Sequence, residues 1–343
     1  MKKYVALFLV MITPIYSAWS GQKNKQIGMV SSIGSNTGNI YFKTTPIIAA
    51  DSSRTIYALD NRLSELHIIN LDTGTARTIA RQGQGPGELM HPLFMALDER
   101  RIYVLDSTGI SMFNKDGLFE GRFRVFHLPI DLAVDNEKIY VAQAGSPELI
   151  TAYDLKGNKI TSFGTKYTVD YDLYKEWSVE LTDSVINSGR ILFSQDAIFY
   201  VSTLFADVFI FDKDGRFINR KKILPVDLVG EIENRFFHAG LKEKEKGGYG
   251  FFTDFAYFEG SFYGLALRKI FKNSPGDIIK FGGKDLKIDE TYKFPGEEAL
   301  ERWRILDFCV MKGEKGQPQF CLSYYDDQLA EFKVSIFRIL EEE

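Results

Sequence analysis

A short β-rich run recurs six times along the chain. The copies are Ile56-Tyr57-Ala58-Leu59, Ile102-Tyr103-Val104-Leu105, Ile139-Tyr140-Val141-Ala142, Phe199-Tyr200-Val201-Ser202, Phe262-Tyr263-Gly264-Leu265 and Phe320-Cys321-Leu322-Ser323. A repeated unit of this kind buries its apolar face only by stacking on its neighbours, so the recurrence constrains the fold more than any single motif. Each run follows a turn and reads as the second strand of a unit. An apolar first strand precedes each, with small residues in one column: Ala50, Ala96, Ala133, Ser194, Ala256 and Cys309. This column is predicted to face the Tyr column across the first hairpin, where a small side chain leaves room for the ring opposite. First strands of such units converge on an axis, where space is least.

Third strands are read at Leu66 to Asn70, Ile110 to Asn114, Leu149 to Asp154, Val208 to Asp212 and Phe332 to Ile339. Three of them end in a shared turn: Asn114-Lys115-Asp116-Gly117, Asp154-Leu155-Lys156-Gly157 and Asp212-Lys213-Asp214-Gly215. Gly supplies the positive φ such a turn needs. Fourth strands follow at Thr75 to Arg81, Phe119 to Val125, Lys159 to Gly164, Arg216 to Ile223 and Glu290 to Phe294. The sixth unit has no fourth strand before Glu343, while Lys25 to Lys43 holds strand-like sequence ahead of the first copy. The expectation is an all-β, six-bladed β-propeller with four-stranded antiparallel blades. An N-terminal strand completes the last blade and closes the ring, which removes two sheet edges.

Residues 1–20 read as a signal peptide. Lys2 and Lys3 precede an apolar run from Tyr4 to Tyr16, and Ala18 and Ser20 supply small residues before a cut at Gly21. The run is too short to span a bilayer as a helix, and no later stretch is long and apolar enough. No Cys follows it, so the reading is a periplasmic or secreted chain without a lipid anchor, with residues 21–343 as one propeller domain. The formal charge of -4 becomes -6 without Lys2 and Lys3. A mildly acidic chain with no basic cluster argues against a nucleic-acid partner.

The segment Gly83-Gln84-Gly85-Pro86-Gly87-Glu88, then His91-Pro92, Ala96-Leu97-Asp98 and Ile102-Tyr103-Val104-Leu105-Asp106, resembles the NHL-repeat pattern. It is similar to that of secreted bacterial six-bladed propellers with a GxGPGE-type loop. The resemblance covers the mature chain at the level of blades, though the sharp motif occurs once. It implies fold and export more than activity. NHL-type lyases use several His and a metal at the channel, and lactonase-like propellers hold a divalent cation near the axis. The Gly83 to Gly87 loop does not precede a helix, so it reads as a blade-to-blade turn rather than a phosphate cradle.

Two positions before the small column stand Ile48, Phe94, Asp131, Leu192, Asp254 and Asp307. Asp131, Asp254 and Asp307 therefore belong near the axis. Two long connections, Thr165 to Gly189 and Leu224 to Gly250, emerge at the same end and carry Tyr167, Tyr171, Tyr174, Trp177, Phe236, Phe237, His238 and Tyr249. One reading is a pocket at the channel mouth, where the carboxylates bind Ca²⁺ or a cationic or sugar ligand. The other is that each Asp bonds backbone N–H groups of the next blade, while the aromatic rings pack down as a lid. Candidate ligand-binding residues are Asp131, Asp254, Asp307, His91, Tyr174, Trp177, Phe237 and His238. His67, His91, His127 and His238 lack metal-ligand spacing, and no nucleophile elbow is present. Cys309 and Cys321 fall in facing columns, so a disulfide is expected in an oxidising compartment, with two buried thiols as the alternative. The functional expectation is a non-catalytic propeller that binds a protein, peptide or glycan. The alternative is a metal-dependent hydrolase or lyase with a channel-mouth site.

Overall fold

The computed structural model describes residues 23–34, 40–52, 54–125, 128–135, 137–174, 177–224, 251–266, 277–282, 286–294, 303–313 and 316–340. In chain order the strands are β1 (Lys23–Gly34), β2 (Ile47–Ala50), β3 (Thr55–Asp60), β4 (Glu65–Asn70), β5 (Thr75–Ala80), β6 (Phe94–Leu97), β7 (Arg101–Asp106), β8 (Gly109–Asn114) and β9 (Phe119–Phe123). Then come β10 (Leu128–Val134), β11 (Lys138–Ala144), β12 (Ile150–Asp154), β13 (Lys159–Phe163), β14 (Gly189–Phe193), β15 (Ile198–Ser202), β16 (Asp207–Phe211) and β17 (Phe217–Lys222). The last are β18 (Phe252–Phe258), β19 (Ser261–Ala266), β20 (Ile278–Gly282), β21 (Lys287–Lys293), β22 (Trp303–Lys312), β23 (Pro318–Asp326) and β24 (Glu331–Ile339). A 3-10 turn (Tyr171–Tyr174) and one helix, α1 (Val179–Ile186), lie between β13 and β14.

Strands β2–β5, β6–β9, β10–β13 and β14–β17 form four antiparallel sheets in chain order. The others share an eight-stranded sheet of order β18-β19-β20-β21-β1-β24-β23-β22. This is the layout of a β-propeller. Its core is a succession of apolar clusters, each shared by neighbouring sheets. Tyr57 and Leu59 of β3 pack with Ile102 and Val104 of β7, and Tyr103 of β7 with Leu132 and Val141 of the next sheet. Tyr140 packs with Tyr200, Val201 with Phe255, and Tyr263 with Phe320. The last cluster joins Cys321 and Ile336 to Ile48 and Ile56, so the succession returns to its start.

The shared turns do more than reverse the chain. Gly117, Gly157 and Gly215 have φ of 80, 86 and 85°. A Cβ on each would also lie 2.5 Å from Ile79, 2.4 Å from Phe123 and 2.4 Å from Phe163, respectively. Those partners sit on the fourth strand of the preceding sheet. The glycine therefore serves both the left-handed backbone and the close approach of neighbours.

Strand β1 joins two units. Lys23–Gln26 pair in parallel with Glu290–Lys293 of β21, and Ile27–Gly34 pair antiparallel with β24 across a bulge at Val30. Ile27 is fully buried, Lys25 Nζ lies 2.7 Å from Glu290, and Ser335 Oγ bonds Ser32 Oγ at 2.8 Å. The strand is shorter than the Lys25 to Lys43 expectation and starts two residues earlier. Strand β20 was not among the expected third strands, and β21 begins at Lys287 rather than Glu290.

The small column needs two corrections. Ala49, not Ala50, faces Tyr57, and Ile191, not Ser194, faces Tyr200. In the second case the hairpin is two residues longer, because Ser194 caps the turn by accepting from Ala197 N at 3.2 Å. Ala96, Ala133 and Ala256 face Tyr103, Tyr140 and Tyr263, and Cys309 faces Cys321, as the columns predict.

Gly157→Ala is expected to lower the melting temperature more than Gly74→Ala in thermal unfolding. Both sites have positive φ, but a Cβ at Gly74 meets nothing within 4 Å. The shared backbone strain costs about 1–2 kcal/mol; overpacking against Phe123 adds roughly 1–3 kcal/mol.

Candidate functional site

Asp131 on β10, Asp254 on β18 and Asp307 on β22 converge on one guanidinium, that of Arg190 on β14. Nη1 donates to Asp131 Oδ1 at 2.9 Å, Nε to Asp254 Oδ1 at 2.5 Å, and Nη2 to Asp254 Oδ2 at 3.2 Å and Asp307 Oδ1 at 2.9 Å. A β-bulge precedes each Asp, between Pro129 and Asp131, Phe252 and Asp254, and Ile305 and Asp307. The extra residue re-aims the strand so that the carboxylate turns toward its neighbours. Each Asp also accepts a backbone N–H from the following first strand. Asp131 Oδ2 takes Ile191 N at 2.7 Å, Asp254 Oδ2 takes Phe308 N at 3.2 Å, and Asp307 Oδ2 takes Ile48 N at 2.6 Å.

The sequence columns brought the three aspartates together but missed Arg190. Counting back two from Ser194 lands on Leu192, and from the true partner Ile191 on Gly189, so neither register reaches Arg190. The usable signal was charge: a cation near the start of a first strand, where three counterparts hold acids.

The metal reading of Asp131, Asp254 and Asp307 meets a guanidinium set among the three carboxylates. One oxygen of each also accepts a neighbouring backbone N–H. Among the described residues no group of three or more His, Cys, Asp or Glu is arranged to hold a metal ion. A Ca²⁺ cofactor at this position does not fit these residues.

Three carboxylates against one guanidinium leave an excess of negative charge in a low-dielectric place. Side-chain exposure is 3 % for Asp131 and Asp254, 9 % for Asp307 and 24 % for Arg190. Burial pushes the Asp131 carboxyl up, with Arg190 offsetting only part. Burial and the hydrogen-bonded Asp254 carboxylate push Asp307 well above the usual range. Burial alone would lower the Arg190 guanidinium, but Asp254, Asp131 and Asp307 raise it well above its ordinary value. The folded chain thus holds a proton on Asp307 at pH values where the unfolded chain has released it.

The 165–189 connection packs as a lid with its own small core. Val169, Tyr174, Ile186, Leu204 and Phe205 are buried together, with Tyr171 and Trp177 against them. Trp177 lies 5.9 Å from Tyr174 between ring centroids, and Tyr167 lies 4.5 Å from Phe205. Lys166 Nζ and Tyr171 Oη donate to Asp183, and the Asn187 side chain bonds both Tyr167 N and Tyr167 O. Tyr174 is buried in this core, and Trp177 is half-buried against it. Toward solvent the lid shows a mixed surface, in which Val179 and Leu181 of α1, 52 and 46 % exposed, stand among Asp170, Asp172, Ser178 and Glu180.

His91 is exposed on the linker before β6 with φ of 51°, and its N–H reaches Ser64 Oγ at 3.3 Å. No described contact joins it to Arg190. Phe237, His238 and His127 lie outside the described residues, as does 225–250 of the second long connection. In the Gly83 to Gly87 loop, Glu88 Oε2 accepts Gly85 N at 2.8 Å, which closes the segment on itself as a turn. The disulfide expectation is corrected as well. Cys309 and Cys321 are direct cross-strand partners, but both are free thiols. A hydrogen bond to Cys321 and burial push the Cys309 thiol well up, which disfavours the thiolate that disulfide exchange requires.

A second set of aspartates escaped the sequence reading. Asp60 and Asp106 end β3 and β7, cap the following turns, and also hold the incoming linkers. Asp60 Oδ2 takes Lys43 N at 2.5 Å, and Asp106 Oδ2 takes Met90 N at 2.9 Å.

The chain matches no protein-family model and no curated protein. It is similar in structure to a Bacteroides fragilis protein taken to be exported, at 11% identity and TM-score 0.56, over 93% of this chain and 100% of that one. It is similar to virginiamycin B lyase from Staphylococcus aureus at 11% identity and TM-score 0.52, over 90 and 99%. A Bacteroides vulgatus member of the DUF4221 family aligns at 10% identity and TM-score 0.51, over 94 and 100%. These likenesses show the fold alone.

Arg190→Met is expected to cost roughly 3–5 kcal/mol at neutral pH in urea unfolding, because it strands buried carboxylates. The loss should shrink as pH falls and the raised Asp131 and Asp307 carboxyls take up protons. In the parent chain, stability should fall as pH rises from the ordinary carboxylate value toward the raised Asp307 value. Asp307→Asn should flatten that slope in thermal unfolding measured across pH.

Proposed function

We propose that this chain is an exported, six-bladed propeller that binds a protein, peptide or glycan and performs no chemistry at its axis. Support for six blades comes from the six sequence copies, the four separate sheets, and the eight-stranded sheet that reads as two units joined by β1. Antiparallel pairing of β1 with β24 supports closure of the last blade by the N-terminal strand. The charged start, apolar run and small residues of 1–20 support export to the periplasm or beyond. No helix among the described residues is long and apolar enough to cross a membrane.

The observation that carries the reading is the saturation of the axial acids. Every carboxylate of the column is bound to Arg190 and to a neighbouring N–H. A general acid, base or Lewis-acid site needs groups that a substrate can reach. A rigid ring carrying the exposed Val179 and Leu181 of α1 offers contact area instead. The binding face is that of the 165–189 and 224–250 connections. The alternative is a metal-dependent hydrolase or lyase, resembling lactonases. It draws support from lyases of like fold, but would require the aspartates to leave Arg190.

The double variant Val179→Ser/Leu181→Ser tests the reading. Its melting temperature should stay within about 1 °C of the parent, because surface changes usually shift stability by only ~0.5 kcal/mol. Its cross-linking to partners in cell-envelope fractions should be lost. Unchanged cross-linking would move the binding face elsewhere.

A further inference from the structure

A cavity of about 570 Å³ lies on the outer side of the junction where the last blade meets the first. It is lined by Arg54 from the β2–β3 hairpin, Leu71 after β4, and Gln319, Ile336, Arg338 and Ile339 of β23 and β24. Its volume suits a small molecule. Two of the lining residues carry a buried polar atom with no hydrogen-bond partner: the donor Arg54 Nη1 and the acceptor Gln319 Oε1. Such atoms are costly when left unpaired. Arg54 is held from the other side by Asp72, which takes Nε at 2.8 Å. Arg338 stands directly opposite Gln319 across the strands, and its guanidinium has no ion pair among the described residues. Among the described residues no carboxylate lines the cavity, so the guanidinium of Arg338 stands without an acid beside the apolar wall, and that of Arg54 is paired only with Asp72 behind it.

Three chemical demands are thus set side by side. The arginines call for an anion with paired acceptors, Gln319 Oε1 calls for an N–H or O–H donor, and Leu71, Ile336 and Ile339 call for an apolar body. We propose that this cavity binds an N-acylated apolar α-amino acid, free or as the C-terminal residue of a peptide. The carboxylate sits against Arg54 and Arg338, the amide N–H donates to Gln319 Oε1, and the side chain lies on Leu71 and Ile336. The site is separate from the axial face and does not depend on what that face binds.

Calorimetric titration of the full mature chain with N-acetyl-leucine tests this. Saturable one-to-one binding is expected, at least tenfold weaker for N-acetyl-leucinamide, which lacks the carboxylate, and fivefold weaker for octanoate, which lacks the donor. Gln319→Leu should weaken N-acetyl-leucine at least fivefold while keeping or raising the melting temperature, since it removes an unpaired buried polar atom. Arg338→Gln should weaken it at least tenfold. Acetyl-Ala-Ala-Leu binding as tightly as N-acetyl-leucine would assign a peptide end, and tenfold weaker binding would assign the free acid. No saturable binding of N-acetyl-leucine, equal affinity for its amide, or indifference to both substitutions would overturn the proposal.

Discussion

One guanidinium holds the centre of this molecule. Arg190 reaches from β14 to aspartates on β10, β18 and β22, so a single side chain ties four strands from separate parts of the sequence. Each aspartate passes the tie onward by accepting an N–H from the next first strand. The geometry suits arginine and not lysine, because a planar fork can face three carboxylates at once. The excess negative charge makes the knot specific but costly, and it places the axis under pH control. The same saturation accounts for the absence of a free reactive group among these acids.

Farther from the axis the sheets interlock by steric fit. The glycine of each shared turn presses against the fourth strand of the preceding sheet, at Ile79, Phe123 and Phe163. Asp60 and Asp106 fasten the linkers that enter each sheet. Strand β1 then bridges β21 and β24, with Lys25 on one side and Ser32 on the other. Axial charge, turn packing and strand exchange act at different radii of one repeat. The lid of 165–189 rests on that scaffold with a core of its own, and leaves Val179 and Leu181 of α1 as exposed apolar side chains.

Much of the repeat was legible because Tyr57, Tyr103, Tyr140, Tyr200 and Tyr263 recur with their flanking apolar residues. The Asp column was legible for the same reason, and the tie to neighbouring N–H groups was one of its two readings. Arg190 was not, because β14 lacks the bulge that precedes each Asp, so the position two before the residue facing Tyr200 is Gly189 and Arg190 stands outside the column. Ala50 was misplaced for a related reason: the Asp51 to Thr55 turn sets the pairing one residue off. Tyr174 and Trp177 show a different limit. Aromatic residues in a long loop suit a binding surface or a small core equally well in sequence, and only their packing against Leu204 and Phe205 separates the two. Facing cysteine columns gave the Cys309–Cys321 contact, but proximity alone does not set redox state.

If Arg190 is the axial cation, a calorimetric Ca²⁺ titration of the mature chain should show no saturable binding. Arg190→Gln should gain binding, because its freed carboxylates lack a counter-charge. One Ca²⁺ bound per parent chain, lost on Asp131→Asn or Asp254→Asn, would contradict that role for Arg190 and return the axis to the metal-dependent reading.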